Sequence, residues 1–249
     1  MRVAAIYDIH GNLPALEAVL REIRAIAAEL IVVGGDVLPG PTPVEALNCL
    51  LDIKTPIQFI RGNGEAAVLA ELAGIESSRL PEQAREAIRW TAQQLRPEHV
   101  GVIESWPATF RIEIAGLGEV LFCHATPRND TEIFTRLTVE ERLFPVFAGV
   151  RSDVVVCGHT HMHFDRMVGK IRVVNAGSVG MPFGSPGADW LLLGPEVELR
   201  HTSYDLARAA ERIRETKYPQ AEDFAARNIL VPPSEEEVLK VFAGAELKG

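Results

Sequence analysis

The sequence predicts an α/β (α+β) protein with two sheets, each covered by helices. Three observations carry that expectation. The first sixty residues alternate apolar runs with amphipathic stretches in the order βαβαβ, which implies a parallel sheet with right-handed crossovers. From residue 108 the apolar period changes to two, with glycine-marked turns between runs, as in hairpins. Helical patterns fill the middle, about 65–106, and the end, from about 204. That order fits two sheets better than one doubly wound sheet.

The elements follow in turn. Val3–Tyr7 is an apolar run ended by Asp8 and predicts a strand at about 2–7. Leu13, Leu16, Val19, Leu20 and Ile23 recur at helical spacing and predict a helix over about 13–28. A strand at 30–33, a helix near 43–53 opened by Pro43, and a strand at 56–60 complete the first unit. Glu65–Ala73 reads as a short helix, Gly74–Leu80 as a loop, and Pro81–Leu95 as a helix stopped before Pro97. Phe110, Ile112 and Ile114 alternate with Arg111 and Glu113, and Gly116-Leu117-Gly118 turns the chain into 119–123. Further hairpins are expected at 163–168 with 171–175 and at 189–193 with 197–201, so the second half reads as mostly antiparallel. An amphipathic helix at about 204–216 precedes helical stretches broken at Pro219 and Pro232-Pro233. No linker divides the chain, so residues 1–249 read as one domain with a helical insert at 64–108 and a C-terminal helical segment at 203–249.

Composition sets bounds. With 249 residues, 47% hydrophobic and 24% charged, the chain can bury a full core without staples. Three cysteines without regular spacing argue against a disulfide framework, and Cys123 and Cys157 read as small buried hydrophobes. A net charge of −9 argues against DNA and anionic membranes as partners. It leaves a phosphate substrate open, because bound metals would dominate the charge inside a site. No apolar run reaches the length of a membrane span, and the N-terminal run is too short for a signal-peptide core, so a cytoplasmic location is the expectation.

The chemistry sits at strand ends. The runs Val3–Tyr7, Leu30–Val33, Ile57–Ile60, Val120–Cys123 and Val154–Cys157 lead into Asp8-Ile9-His10-Gly11-Asn12, Gly34-Gly35-Asp36, Arg61-Gly62-Asn63, His124 and Gly158-His159-Thr160-His161. Ligands of α/β sheets bind outside the carboxyl ends of the strands. Asp8, His10, Asp36, Asn63, His124, His159 and His161 are therefore expected on one rim, with donors enough for two divalent metals. Asp8 and His10, like His159 and His161, stand two residues apart and would share a side in an extended segment. One Asp-x-His alone is more often a turn or a cap; five such junctions together are not.

This ordered set resembles the calcineurin-like metallophosphoesterase superfamily, whose signature is Asp-x-His, Gly-Asp, Gly-Asn-(His or Cys)-(Asp or Glu), a single His, and Gly-His-x-His. The match runs from Asp8 to His161 and extends to about 180 through Asn175-Ala176-Gly177-Ser178-Val179-Gly180. It looks closest to small bacterial and archaeal phosphoesterases related to the diadenosine-tetraphosphatase-like branch. The resemblance implies a four-layer α/β/β/α sandwich, two mixed sheets flanked by helices, with a dinuclear centre. One ion would take Asp8, His10 and His161, the other Asn63, His124 and His159, with Asp36 bridging. Mn²⁺ ranks ahead of Fe and Zn²⁺. The implied activity is hydrolysis of a phosphomonoester, phosphodiester or nucleoside polyphosphate by attack of a metal-bridging hydroxide. A non-catalytic scaffold of the same fold, as in retromer, would show eroded ligands, yet each position is filled; a nuclease would want a basic, aromatic stripe.

Where protein phosphatases of the superfamily carry a leaving-group histidine, this chain has Gly64. A weakened general acid follows, which disfavours poorly activated alkoxides such as a serine side chain. Substrate contacts are expected from Arg61, Asn12, Arg128 and His163, with Arg85, Arg89 and Trp90 as a face for a nucleotide. The expected partner is a small phosphorylated molecule, a nucleotide among the candidates, and a homo-oligomer stays open.

Overall fold

The computed structural model of the chain describes residues 1–75 and 80–247. β1 (Val3–Ile6) is buried on both faces, and its alternation sends Ala4 and Ile6 into one apolar cluster and Val3 and Ala5 into another. α1 (Leu13–Ala25) returns over the first of these, burying Leu16, Val19, Leu20 and Ile23. β2 (Leu30–Val33), α2 (Pro43–Leu51) and β3 (Ile57–Phe59) continue the unit, with β1, β2 and β3 paired in parallel.

α3 (Asn63–Leu72) starts four residues after β3 ends and packs against α4 (Glu82–Gln94). The loop expected at 74–80 lies mostly outside the described residues. Pro97 does more than stop α4: it is the first residue of α5 (Pro97–Glu104), where a missing N–H costs nothing.

β4 (Thr109–Ile114), β5 (Gly118–Cys123), β6 (Val154–Cys157), β7 (His163–Val168) and β8 (Ile171–Ala176) form a second sheet in the order β4-β5-β6-β8-β7. The hairpins expected in the second half are antiparallel, β4 with β5 and β7 with β8, but the strands that join them in the sheet are not. β5–β6 and β6–β8 run parallel, because parallel neighbours need long crossovers, and the stretch between β5 and β6, which carries α6 (Glu140–Phe147), supplies one. α6 covers the outer face of this sheet with Leu143, Val146 and Phe147. The hairpin of β9 (Ala188–Leu193) and β10 (Val197–Thr202) crosses back to the first sheet, giving β10-β9-β1-β2-β3 with β9 antiparallel to β1.

The two five-stranded sheets meet face to face, Val3, Ala5, Tyr7 and Val32 against Val120, Phe122, Val156 and Val174. With helices on both outer faces the result is a four-layer α/β/β/α sandwich. α7 (Leu206–Arg214), α8 (Ala221–Phe224), which continues as a π-helical turn over Ala225–Leu230, and α9 (Glu235–Ala243) complete the chain. Among the described residues no helix is long and apolar enough to cross a membrane.

Candidate metal centre

At the strand ends the backbone bends sharply. Asp8, His10, Asp36, His159 and His161 have φ of 53°, 46°, 53°, 66° and 55°, left-handed values that cost non-glycine residues roughly 1–3 kcal/mol each. Among the described residues only Ala27 and Leu247 share that region without glycine. The expectation that the Asp8–His10 and His159–His161 pairs converge because their segments are extended is therefore corrected. Each side chain is turned inward by a left-handed residue, held in part by His10 N–H on the Asp36 carbonyl (2.9 Å) and Asp8 N–H on the Gly35 carbonyl (3.1 Å).

The side chains form two overlapping groups, Asp8 with His10 and His161, and Asp8 with Asp36 and His124. In the first, His10 Nε2 is 3.2 Å from His161 Nε2, which is 3.3 Å from Asp8 Oδ1. In the second, His124 Nε2 is 3.5 Å from Asp36 Oδ2 and 3.9 Å from Asp8 Oδ1. Asp36 Oδ2 also lies 3.8 Å from His10 Nε2, so one carboxylate oxygen faces both groups. Asn63 Oδ1 is 3.0 Å from His124 Nε2. The His159 ring stands edge-on to His124 at 5.2 Å between centroids, and its backbone N–H donates to Asp8 Oδ2 at 2.8 Å.

Carbonyl oxygens set the tautomers, since a carbonyl only accepts. His124 Nδ1–H donates to Gly34 (2.9 Å), His161 Nδ1–H to Met181 (3.0 Å) and His159 Nε2–H to Thr131 (3.2 Å). In its neutral form each ring keeps its other nitrogen as a lone pair, the way metal-binding imidazoles are oriented. Asp8 Oδ1, buried among these rings, has no hydrogen-bond partner. A buried carboxylate oxygen facing imidazole lone pairs is stabilised by a cation, so the donor set fits divalent ions.

Residues 1–194 match the family model of the calcineurin-like phosphoesterase superfamily domain. The chain belongs to that superfamily. An uncharacterised protein of Methanocaldococcus jannaschii is 29% identical over 242 residues, covering 88% of this chain and 94% of that one. A hypothetical protein of Pyrococcus horikoshii has the same fold, with a TM-score of 0.78 at 21% identity over 94% of this chain and 99% of its own. A metallophosphoesterase from Sphaerobacter thermophilus superposes with a TM-score of 0.69 at 26% identity, covering 91% and 97% of the two chains.

Charges in this calcineurin-like centre are strongly coupled. Burial pushes Asp36 up to about 7. Burial alone would lower His124, but the Asp36 and Asp8 carboxylates outweigh it and hold it up to about 9. His10 and His159 are pushed down to about 3, by burial first and then by the neighbouring imidazoles His161 and His124 respectively. Burial opposes ionisation of Asp8, yet His161, His124 and His10 keep its carboxylate well below the usual range.

One buried carboxylate beside the candidate centre escaped the sequence reading. Glu65, fully buried, accepts the N–H groups of Asp36 and Gly62 on Oε2 (both 2.9 Å) and that of Leu38 on Oε1 (3.0 Å). It ties the start of α3, and with it Asn63, to the loop carrying Asp36. The signal was present in the Asp-or-Glu position of the superfamily signature. Gly64 is equally constrained: a Cβ built there lies 2.1 Å from the Leu38 carbonyl oxygen and 2.9 Å from Asp36 Oδ1.

The expected substrate contacts are placed differently from the ligands. The Asn12 amide is used at both ends, accepting from Ala15 N–H (3.2 Å) and donating to the Gly180 carbonyl (2.9 Å). Arg128 is held by buried Glu132 through Nε, at 2.9 and 2.8 Å. His163 Nδ1 lies 3.9 Å from Asp189, which His201 engages at 2.6 Å. Arg61 anchors its segment through its N–H on the Pro107 carbonyl (2.8 Å). A cavity of about 340 Å³ opens onto His10, Asp36, Asn63 and Gly64, and its described lining includes none of Asn12, Arg61, Arg128 and His163.

Proposed function

We propose that the protein is a dinuclear metal-dependent phosphoester hydrolase, with Asp8, His10, His161, Asn63, His124 and His159 holding two ions and Asp36 between them. The observation that carries this reading is Asp36 Oδ2, which faces His10 at 3.8 Å and His124 at 3.5 Å, one from each group. Membership of the superfamily and the 26% likeness to a metallophosphoesterase support it.

When bound, two divalent ions lower the pKa of coordinated water and offset charge on phosphoryl oxygens. The chain's own residues do the rest. Carbonyls of Gly34, Thr131 and Met181 fix three imidazoles so that little reorganisation accompanies substrate binding. Gly64 offers no proton to the departing oxygen, so that oxygen must leave with help from solvent or as an already stable anion. Esters of acidic alcohols and phenols are therefore better substrates than alkyl esters. Mn²⁺ is proposed first, with Fe or Zn²⁺ as alternatives; the imidazole and carboxylate donors suit all three and do not choose among them.

The test is hydrolysis of bis-p-nitrophenyl phosphate by metal-stripped protein, with and without Mn²⁺, beside Asp36→Asn. Mn²⁺-dependent turnover lost in the variant supports the proposal. Equal turnover by both proteins overturns it.

A further inference from the structure

The cavity beside the candidate centre has walls with a chemistry of their own. From His10, Asp36, Asn63 and Gly64 it runs between α4 and the segment around α8. Ala84, Ala87 and Ile88 of α4 form an apolar side, and the rings of Tyr218 and Phe224 form another. These two rings stand edge to face, 6.2 Å between centroids, and Trp90 backs Tyr218 from outside at 5.3 Å. Side-chain amides of Gln83, Gln220 and Asn228 stand among these surfaces, and Asp223 adds a carboxylate.

No Lys or Arg is among the described lining residues. The cations of α4 turn elsewhere: Arg85 and Arg89 both pair with Glu82, the latter at 2.8 Å. Beside the nucleotide face expected from Arg85, Arg89 and Trp90, α4 thus lines the cavity with Ala84, Ala87 and Ile88.

We propose that this cavity seats the uncharged heterocycle of a nucleotide whose one phosphate is the group to be cleaved. The proposal rests on the phosphoesterase reading above and names its substrate class. Aromatic walls accept the face of a planar ring. Amides both donate and accept, which matches the mixed edge of a nucleobase. A further phosphate lying beside Asp223, away from the two ions, would meet no Lys or Arg of the described lining, an uncompensated desolvation. That charge disfavours a polyphosphate inside the cavity. A volume of about 340 Å³ is in the range for small-molecule sites.

Two readouts test this on the full chain. In calorimetry, adenosine, guanosine, cytidine and uridine are titrated into metal-stripped and Mn²⁺-loaded protein, with inorganic phosphate as the control. At least one nucleoside is expected to bind with a Kd below about 1 mM in both forms. Ala84→Phe, which fills the cavity from α4, is expected to weaken that binding about tenfold or more while phosphate binding to the loaded protein is unchanged. Asn228→Ala, which adds no bulk, should weaken it in the same direction and stands in if Ala84→Phe fails to fold.

In kinetics, thymidine 5′-(p-nitrophenyl phosphate) is compared with methyl p-nitrophenyl phosphate, which has the same leaving group, and AMP and ATP are compared as ligands of the metal-stripped protein. The nucleoside ester is expected to be favoured about tenfold in kcat/KM, and AMP to bind about tenfold more tightly than ATP. If no nucleoside binds, or ATP binds more tightly than AMP, the proposal is overturned even though small esters are hydrolysed. If nucleosides bind but no ester is turned over with Mn²⁺, the phosphoesterase reading fails and the seat stands.

Discussion

Glu65 accepts the backbone N–H of Asp36 at 2.9 Å, and the same oxygen accepts that of Gly62 at the same distance. One buried carboxylate thus sets the spacing between the bridging candidate and Asn63. Burial raises its pKa, and the Leu38, Gly62 and Asp36 N–H groups hold its ionised form in place.

Glu65→Gln puts an amide NH₂ against at least one of these N–H donors. The expected cost is about 2–4 kcal/mol of stability, read as a lower urea midpoint at unchanged slope. Metal affinity should fall with it, because two candidate ligands lose their common brace. An unchanged midpoint would show that the loop holds itself.

Gly64→His restores the residue type that assists leaving groups in protein phosphatases of the superfamily, but it is expected to lower activity. The added Cβ meets the Leu38 carbonyl at 2.1 Å, so backbone must shift, at about 1–3 kcal/mol. The check is the ratio of alkyl-ester to aryl-ester turnover together with the melting temperature. A raised ratio at unchanged stability would contradict this account.

Metal-free stability should peak near neutral pH. His10 and His159, held at about 3 against an ordinary 6.5, bind fewer protons folded than unfolded, so their contribution is lost as pH falls from 6.5 through 3. Asp36 at about 7 and His124 at about 9 bind more protons folded, so their contribution fades as pH rises from their ordinary 3.8 and 6.5 through those values. Melting scans from pH 4 to 9 in chelator should fall on both sides of about 6.5. Added Mn²⁺ should remove the alkaline fall and release protons on binding, visible as a buffer-dependent binding enthalpy.

Phe183 stacks on His161 at 5.5 Å between centroids and touches Phe242 of α9 edge-on at 6.4 Å. Phe183→Ala should loosen His161 and weaken Mn²⁺ binding by about tenfold, within the range seen when a ligand's support is removed. Unchanged affinity would mean that the Met181 carbonyl alone holds the ring.

Much of this was legible in the chain because burial writes a period. β1 shows it: four consecutive apolar residues need two apolar partners, and both sheet faces are covered. The ligand positions were legible because each follows such a run. Their left-handed backbones were not, since Asp and His carry no local mark of φ, and only the packed loops impose it. The parallel pairing of β5, β6 and β8 was hidden because two of the three belong to hairpin-like patterns, and partner choice is a long-range matter. Asn12 and Arg128 are read as substrate contacts from their place in the sequence near these positions, and the structure adds a helix-capping bond for the first and Glu132 for the second.

The central claim is that Asp36 joins two ions in one centre. The most direct measurement is Mn²⁺ stoichiometry by mass spectrometry on dialysed wild-type protein and Asp36→Asn, with circular dichroism to confirm the fold. Two ions per wild-type chain, falling to one or none in the folded variant, is the predicted result. One ion or none in the wild type at saturating Mn²⁺, or two in both proteins, would contradict the account.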